Sequence, residues 1–124
     1  MILGVGLDVV ETERIAQALA AHGLRFEERV YTSTELAQCA QRADRAQALA
    51  GRFAVKEAFF KALGTGLAPG LSFRQVEVIE RDGRPALRLQ GPAADQARKR
   101  GVGAIHFSLS HQPGVAAAVV ILEG

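Results

Sequence analysis

The chain opens on an alternation. Leu3, Val5, Leu7 and Val9 interleave with Gly4, Gly6 and Asp8, a period of two that predicts a β-strand over residues 2–10. One face of that strand is aliphatic, and the other is nearly bare until it reaches a carboxylate. Thr12 stands where a helix cap is expected, with Glu13 in the first turn. Ile15 and Leu19 then give the helix an apolar side until Gly23 interrupts it. Thr32 and Glu35 form a T-x-x-E capping box that opens another helix. From about Asp44 to Leu63 the apolar residues Leu49, Phe53, Phe60 and Leu63 recur at helical spacing, which makes this the longest predicted helix. Gly64 and Gly66 stop it.

The second half of the chain returns to alternation. Residues 73–79 predict a strand, Asp82-Gly83 a turn and residues 85–89 a returning strand. Gly91-Pro92 begins a short helix that Gly101 ends. Residues 105–110 and 115–122 form a last hairpin across Gln112-Pro113-Gly114. Short turns join most of the strands, so the sheet should be mainly antiparallel. The expected fold is α+β: one domain spanning residues 1–124, with the sheet packed against one long helix and several shorter ones.

Composition narrows the function. A hydrophobic share of 48% with 23% charged residues is that of an ordinary globular protein, which excludes disorder. The net charge of +2 is too small for a nucleic-acid footprint. Cys39 is the only cysteine, so no intrachain disulfide can form, and no thiolate-stabilising pattern surrounds it. The opening strand lacks the basic region and cleavage site of a signal peptide, and no apolar stretch approaches the roughly 20 residues of a membrane span. A cytoplasmic location without nucleic-acid or membrane partners is the expectation.

Three segments could carry chemistry. Asp8 ends a hydrophobic strand on the face whose preceding positions are glycines, where a ligand or another backbone can approach closely. It could equally favour the dipole of the next helix. On the long helix, Arg52 and Lys56 fall in the same arc as Leu49, Phe59 and Leu63, with Glu57 at its edge and Lys61 one turn on. Charges on an apolar arc are costly unless paired or bound. A Glu57–Lys61 surface pair would explain only those two residues, whereas a phosphate ligand would explain all the cations at once. Finally, alternation places His106, Ser108 and Ser110 on one face of a strand, opposite Phe107 and Leu109, and His111 follows. Anion binding suits these groups better than a serine–histidine catalytic set, because no nucleophile elbow is present. Two carboxylates, a cation-rich helix and a hydroxyl-rich strand would suit Mg²⁺-assisted phosphoryl transfer. An RNA-binding module and a Mg²⁺-dependent phosphohydrolase are the alternatives that the residues alone leave open.

Taken together, Gly4-Val-Gly-Leu-Asp8, Phe53-Ala-Val-Lys-Glu-Ala-Phe-Phe-Lys61 and His106-Phe-Ser-Leu-Ser-His111 resemble the holo-acyl-carrier-protein synthases, the small bacterial 4′-phosphopantetheinyl transferases. The resemblance spans the whole chain and includes Gly51-Arg52-Phe53. It implies transfer of the phosphopantetheine arm of coenzyme A to a serine of an apo acyl carrier protein, with release of adenosine 3′,5′-bisphosphate, in support of fatty acid biosynthesis. It implies Mg²⁺ on Asp8 and Glu57, Lys61 beside the phosphates, and either Glu57 or a water on the metal as the base. It implies a coenzyme A groove lined by Arg52, Lys61, Gly64, Pro85, His106, Ser108, Ser110 and His111. Arg14, Arg25 and Arg29 would dock the acidic carrier, and a homotrimer would place the active sites at subunit interfaces.

Overall fold

The computed structural model describes all of residues 1–124. Its elements run β1 (Ile2–Glu11), α1 (Thr12–His22), α2 (Leu24–Val30), α3 (Ser33–Cys39), α4 (Arg45–Leu63), a single 3₁₀ turn (Phe73–Gln75), β2 (Val76–Arg81), β3 (Arg84–Leu89), α5 (Gly91–Lys99), β4 (Ala104–Gln112) and β5 (Val115–Glu123). The α+β expectation holds, and every strand pairing is antiparallel. The strands form two sheets rather than one, a three-stranded sheet in the order β1-β5-β4 and the separate β2-β3 hairpin. No helix is long and apolar enough to cross a membrane.

The core lies where α4 crosses the three-stranded sheet. Fourteen residues of this helix are buried, among them Leu49, Phe53, Phe59, Phe60 and Leu63. They meet Val10, Ala116, Ala118, Val120 and Leu122 from the sheet. The glycines of β1 allow the contact. A Cβ on Gly4 would lie 2.0 Å from the carbonyl oxygen of Ala62, and one on Gly6 would lie 1.9 Å from that of Ala58. Glycine at these positions therefore admits another backbone, one of the two occupants the sequence allowed.

The sheet face toward α4 is thus the glycine face, and the aliphatic row of β1 points outward. Val5, Leu7 and Val9 are 58%, 62% and 61% exposed. Smaller departures follow local rules. Thr12 is the first helical residue, and Glu11 precedes it as a cap without a side-chain hydrogen bond. Residues 73–75 make the 3₁₀ turn instead of starting the strand. The Thr32–Glu35 capping box forms as expected. The α4 helix ends at Gly64, whose φ of 83° is the left-handed conformation that glycine adopts without strain.

Candidate active site

Strand β1 delivers Asp8 to the face covered by α4, and α4 delivers Glu57 and Lys61 to the same place. Lys61 Nζ donates to Asp8 Oδ1 and to the carbonyl of Leu7, each at 3.0 Å. The Lys61 side chain is half exposed while that of Asp8 is largely buried. Asp8 Oδ2 is buried and has no hydrogen-bond partner. The Glu57 carboxyl is pushed above the usual carboxylate range, first by burial and then by the negative charge of Asp8, while Arg14 and Lys61 pull it down. Two acidic groups from separate elements, β1 and α4, therefore feel one another. Lys61 pairs with Asp8 across the fold, not with Glu57 along the helix. Arg14 stands beside this cluster, its guanidinium 5.6 Å from the centre of the Phe53 ring.

The other expected site residues separate into groups. Arg52, Pro85 and His111 line one cavity of about 230 Å³ between α4, the β2-β3 hairpin and β4. Arg42, Gln47 and Glu80 also line it, and nothing in their sequence context marks them beforehand. A wider cavity of about 490 Å³, at the start of α4 and the β4-β5 turn, shares Gln47 and His111 with it. Ser108 and Ser110 lie elsewhere, in a shallow depression with Leu7 and Val119 on the outward sheet face. His106 is on that face too, its Nε2 2.9 Å from Glu123 Oε1, apart from the cavity that holds His111. Gly64 sits one turn beyond Lys61, where Arg100 donates to the carbonyl of Leu63. Arg25 and Arg29 flank Phe26 and His22 around a small cavity on α1 and α2.

The reading of Lys56 as a phosphate-binding cation is corrected. Lys56 is fully buried and donates to Glu35 Oε1 at 2.8 Å and to the carbonyls of Phe73 and Val76. Burial lowers the pKa of Lys56, and the charge of Glu35 works against that shift. Glu35 also accepts from the backbone nitrogens of Thr32 and Val78, so this carboxylate is satisfied on every side. Arg52 is buried and donates to the carbonyls of Val78 and Ala48 and to Gln38 Oε1. Both cations join α4 to α3 and β2. An apolar arc tolerates them because protein acceptors meet them. Cys39 is buried and free, with its pKa raised mainly by burial, as expected of an inert thiol.

Comparisons with known proteins place the chain in a family. The 4′-phosphopantetheinyl transferase superfamily profile matches residues 4–120. A holo-[acyl-carrier-protein] synthase of Anaeromyxobacter sp. (strain K) is 50% identical over 127 aligned positions, covering 100% of this chain and 98% of the relative. The crystal structure of the Neisseria meningitidis holo-[acyl-carrier-protein] synthase superposes with a TM-score of 0.90 at 34% identity, covering 100% of both chains. That of the Bacillus anthracis enzyme, in complex with CoA (3′,5′-ADP), superposes with a TM-score of 0.80 at 34% identity, covering 98% of this chain and 96% of that one. The chain therefore belongs to the 4′-phosphopantetheinyl transferase superfamily, among its holo-[acyl-carrier-protein] synthases.

Proposed function

We propose that this enzyme transfers the 4′-phosphopantetheine group from coenzyme A to a serine hydroxyl of an apo acyl carrier protein in a Mg²⁺-dependent reaction. The second product is adenosine 3′,5′-bisphosphate, and the cytoplasmic route served is fatty acid biosynthesis. The observation that carries the reading is the meeting of Asp8, Glu57 and Lys61 in a chain whose relatives are holo-[acyl-carrier-protein] synthases. The Bacillus anthracis neighbour bound to CoA (3′,5′-ADP) supports coenzyme A as the donor.

The residues fit Mg²⁺. Asp8 presents a buried carboxylate oxygen that no protein group satisfies, and the repulsion between Asp8 and Glu57 is what a divalent cation would relieve. No third His, Cys, Asp or Glu joins them. That suits a small hard ion held by two carboxylates and completed by phosphate and water oxygens. Bound there, Mg²⁺ would neutralise the pyrophosphate and favour departure of the bisphosphate. Lys61, anchored on Asp8 with its side chain half exposed, supplies positive charge where the leaving phosphate gains negative charge. Either Glu57 or a water accepts the proton of the carrier serine as its oxygen attacks the β-phosphorus. Arg14, Arg25 and Arg29 are exposed on α1 and α2 and meet the acidic carrier, chiefly raising its association rate.

Arg52, Pro85 and His111 lie on a different flank of α4 from Asp8 and Glu57. A homotrimer assembled through the exposed aliphatic face of β1 would let one groove draw on both clusters. The test is the intact mass of an apo acyl carrier protein incubated with the enzyme, Mg²⁺ and coenzyme A. The expected result is a phosphopantetheine increment on the carrier serine. An unchanged mass across several apo carriers, or release of free phosphate from a nucleotide without an acceptor protein, would overturn the reading.

A further inference from the structure

Arg52 is 7% exposed and lines the cavity of about 230 Å³ between α4, the β2-β3 hairpin and β4. Its acceptors are the carbonyls of Val78 and Ala48 and Gln38 Oε1, at 3.1, 3.4 and 3.2 Å. All three are neutral, and no ion pair of the chain includes Arg52. Its neighbours differ. Lys56 is paired with Glu35, and Arg42, on the same cavity, is paired with Asp44. The one carboxylate lining this cavity, that of Glu80, stands 3.7 Å from Arg42. A guanidinium has five N–H donors, so two of those on Arg52 meet no protein acceptor. A buried cation without a countercharge is costly, and it suits a wall that receives an anion.

Gln38 holds this guanidinium from outside the cavity wall. Strand β2 pairs only with β3, so its other edge is left to side chains. Lys56 meets the Val76 carbonyl there, Glu35 the Val78 nitrogen and Arg52 the Val78 carbonyl. Gln38 completes the edge: its Nε2 donates to the Glu80 carbonyl at 3.1 Å, and its Oε1 accepts from the Glu80 N–H at 2.9 Å. The backbone of Glu80 thereby dictates that the amide oxygen is the end that Arg52 meets. Glu80 registers with Pro85 across the hairpin, and both line the cavity. A glutamate at position 38 could accept from the same two donors, but it would cancel the charge of Arg52. Glutamine holds the guanidinium without neutralising it.

From this arrangement we propose that Gln38 is a positioning residue for the donor substrate, its neutral carboxamide fixing Arg52 while leaving the positive charge for a phosphate of coenzyme A. This rests on the reading that coenzyme A enters the cavity that Arg52 lines. A phosphate oxygen there would take the two free N–H groups in charge-assisted hydrogen bonds. Gln38→Glu should therefore weaken coenzyme A more than Gln38→Met, which keeps the charge of Arg52 but loses its anchor. A role in folding alone predicts the reverse order, because methionine forfeits all three hydrogen bonds of the amide and glutamate can keep the two that its oxygen accepts.

Calorimetric titration of coenzyme A into the full chain tests this, with circular dichroism to show that each variant is folded and initial rates of carrier modification measured alongside. The expected result is a Kd for coenzyme A raised about tenfold in Gln38→Glu and about threefold in Gln38→Met, with kcat and the KM for the carrier within about twofold of the wild type. A wild-type Kd in either folded variant, or a larger rise in Gln38→Met than in Gln38→Glu, would overturn the proposal. Gln47→Trp separates that failure from failure of the reading beneath it, because Gln47 lines both this cavity and the wider one beside it, and an indole there would obstruct them. A raised Kd in Gln47→Trp beside unchanged Gln38 variants would overturn the proposal alone. A wild-type Kd in folded Gln47→Trp would remove coenzyme A from the cavity, and the proposal with it.

Discussion

Replacing Gly6 by alanine adds a single methyl group and should damage both folding and catalysis. The added Cβ would stand 1.9 Å from the carbonyl oxygen of Ala58, 2.7 Å from the nitrogen of Ala62 and 2.9 Å from the carbonyl carbon of Ala58. All three obstacles are backbone atoms of α4, so no side chain can swing aside. Raising the shortest contact from 1.9 Å to the tolerable minimum of 3.0 Å requires β1 and α4 to part by about 1.1 Å. Overpacking a core costs about 1–3 kcal/mol, and this case belongs at or above the upper end because the obstacle is rigid. About 3 kcal/mol in a domain of this size corresponds to a fall in Tm of roughly 10 °C. The same movement carries Asp8 away from Glu57 and Lys61, and a misplacement of about 1 Å can cost on the order of 100-fold in rate.

The control is Gly51→Ala. The nearest atom there is Leu109 Cδ1 at 3.2 Å, the flexible end of a side chain. Alanine inside α4 also gains about 0.5–1 kcal/mol over glycine. Thermal melts followed by circular dichroism should show Gly51→Ala near or above the wild type and Gly6→Ala far below it. Initial rates of carrier modification should show the loss of turnover in Gly6→Ala. A Gly6→Ala protein with wild-type Tm and wild-type turnover would refute the claim that glycine is required to bring β1 against α4.

Further expectations concern individual side chains. Asp8→Asn and Glu57→Gln should each remove most turnover while leaving the protein folded, and near-normal rates in both would contradict their role as metal ligands. Lys61→Ala should lower the rate constant for transfer more than it lowers stability, because the side chain is half exposed and serves the leaving phosphate; an unchanged rate constant counts against that role. Lys56→Met should lose about 3–5 kcal/mol in urea denaturation, because Glu35 would stay buried without its cation; a loss below 1 kcal/mol would mean that Glu35 is neutral or resolvated. In metal-free buffer, Glu57→Gln should melt above the wild type at neutral pH. A carboxyl whose folded pKa is raised favours the folded state below its unfolded value and disfavours it once pH rises through the folded value. The advantage of glutamine should therefore shrink as pH falls through the folded value and be gone below about 4.5, and a constant difference would count against the Asp8–Glu57 repulsion.

Much of this was legible in the sequence, for identifiable reasons. Period-two alternation found β1, β4 and β5, and the glycine-terminated apolar run found α4. Alternation does not say which face of a strand is the inner one. Val5, Leu7 and Val9 make the aliphatic row, yet the glycines turn inward because α4 needs its backbone close to β1. Lys56 was misread for a different reason. A charged residue on an apolar arc signals that a partner exists but not whether that partner is protein or ligand. Lys56 finds Glu35, which already served the Thr32 cap, so nothing local betrayed its second task. The meeting of Asp8 with Glu57 lies beyond local pattern altogether, and only the resemblance to the family anticipated it.

The most direct measurement is the position of a divalent ion in crystals grown with coenzyme A and Mn²⁺ in place of Mg²⁺, located by its anomalous scattering. The account predicts one peak shared by the Asp8 and Glu57 carboxylates, against the pyrophosphate and within reach of Lys61. A peak elsewhere in the chain, or coenzyme A bound in full with no ion at these two carboxylates, would contradict it.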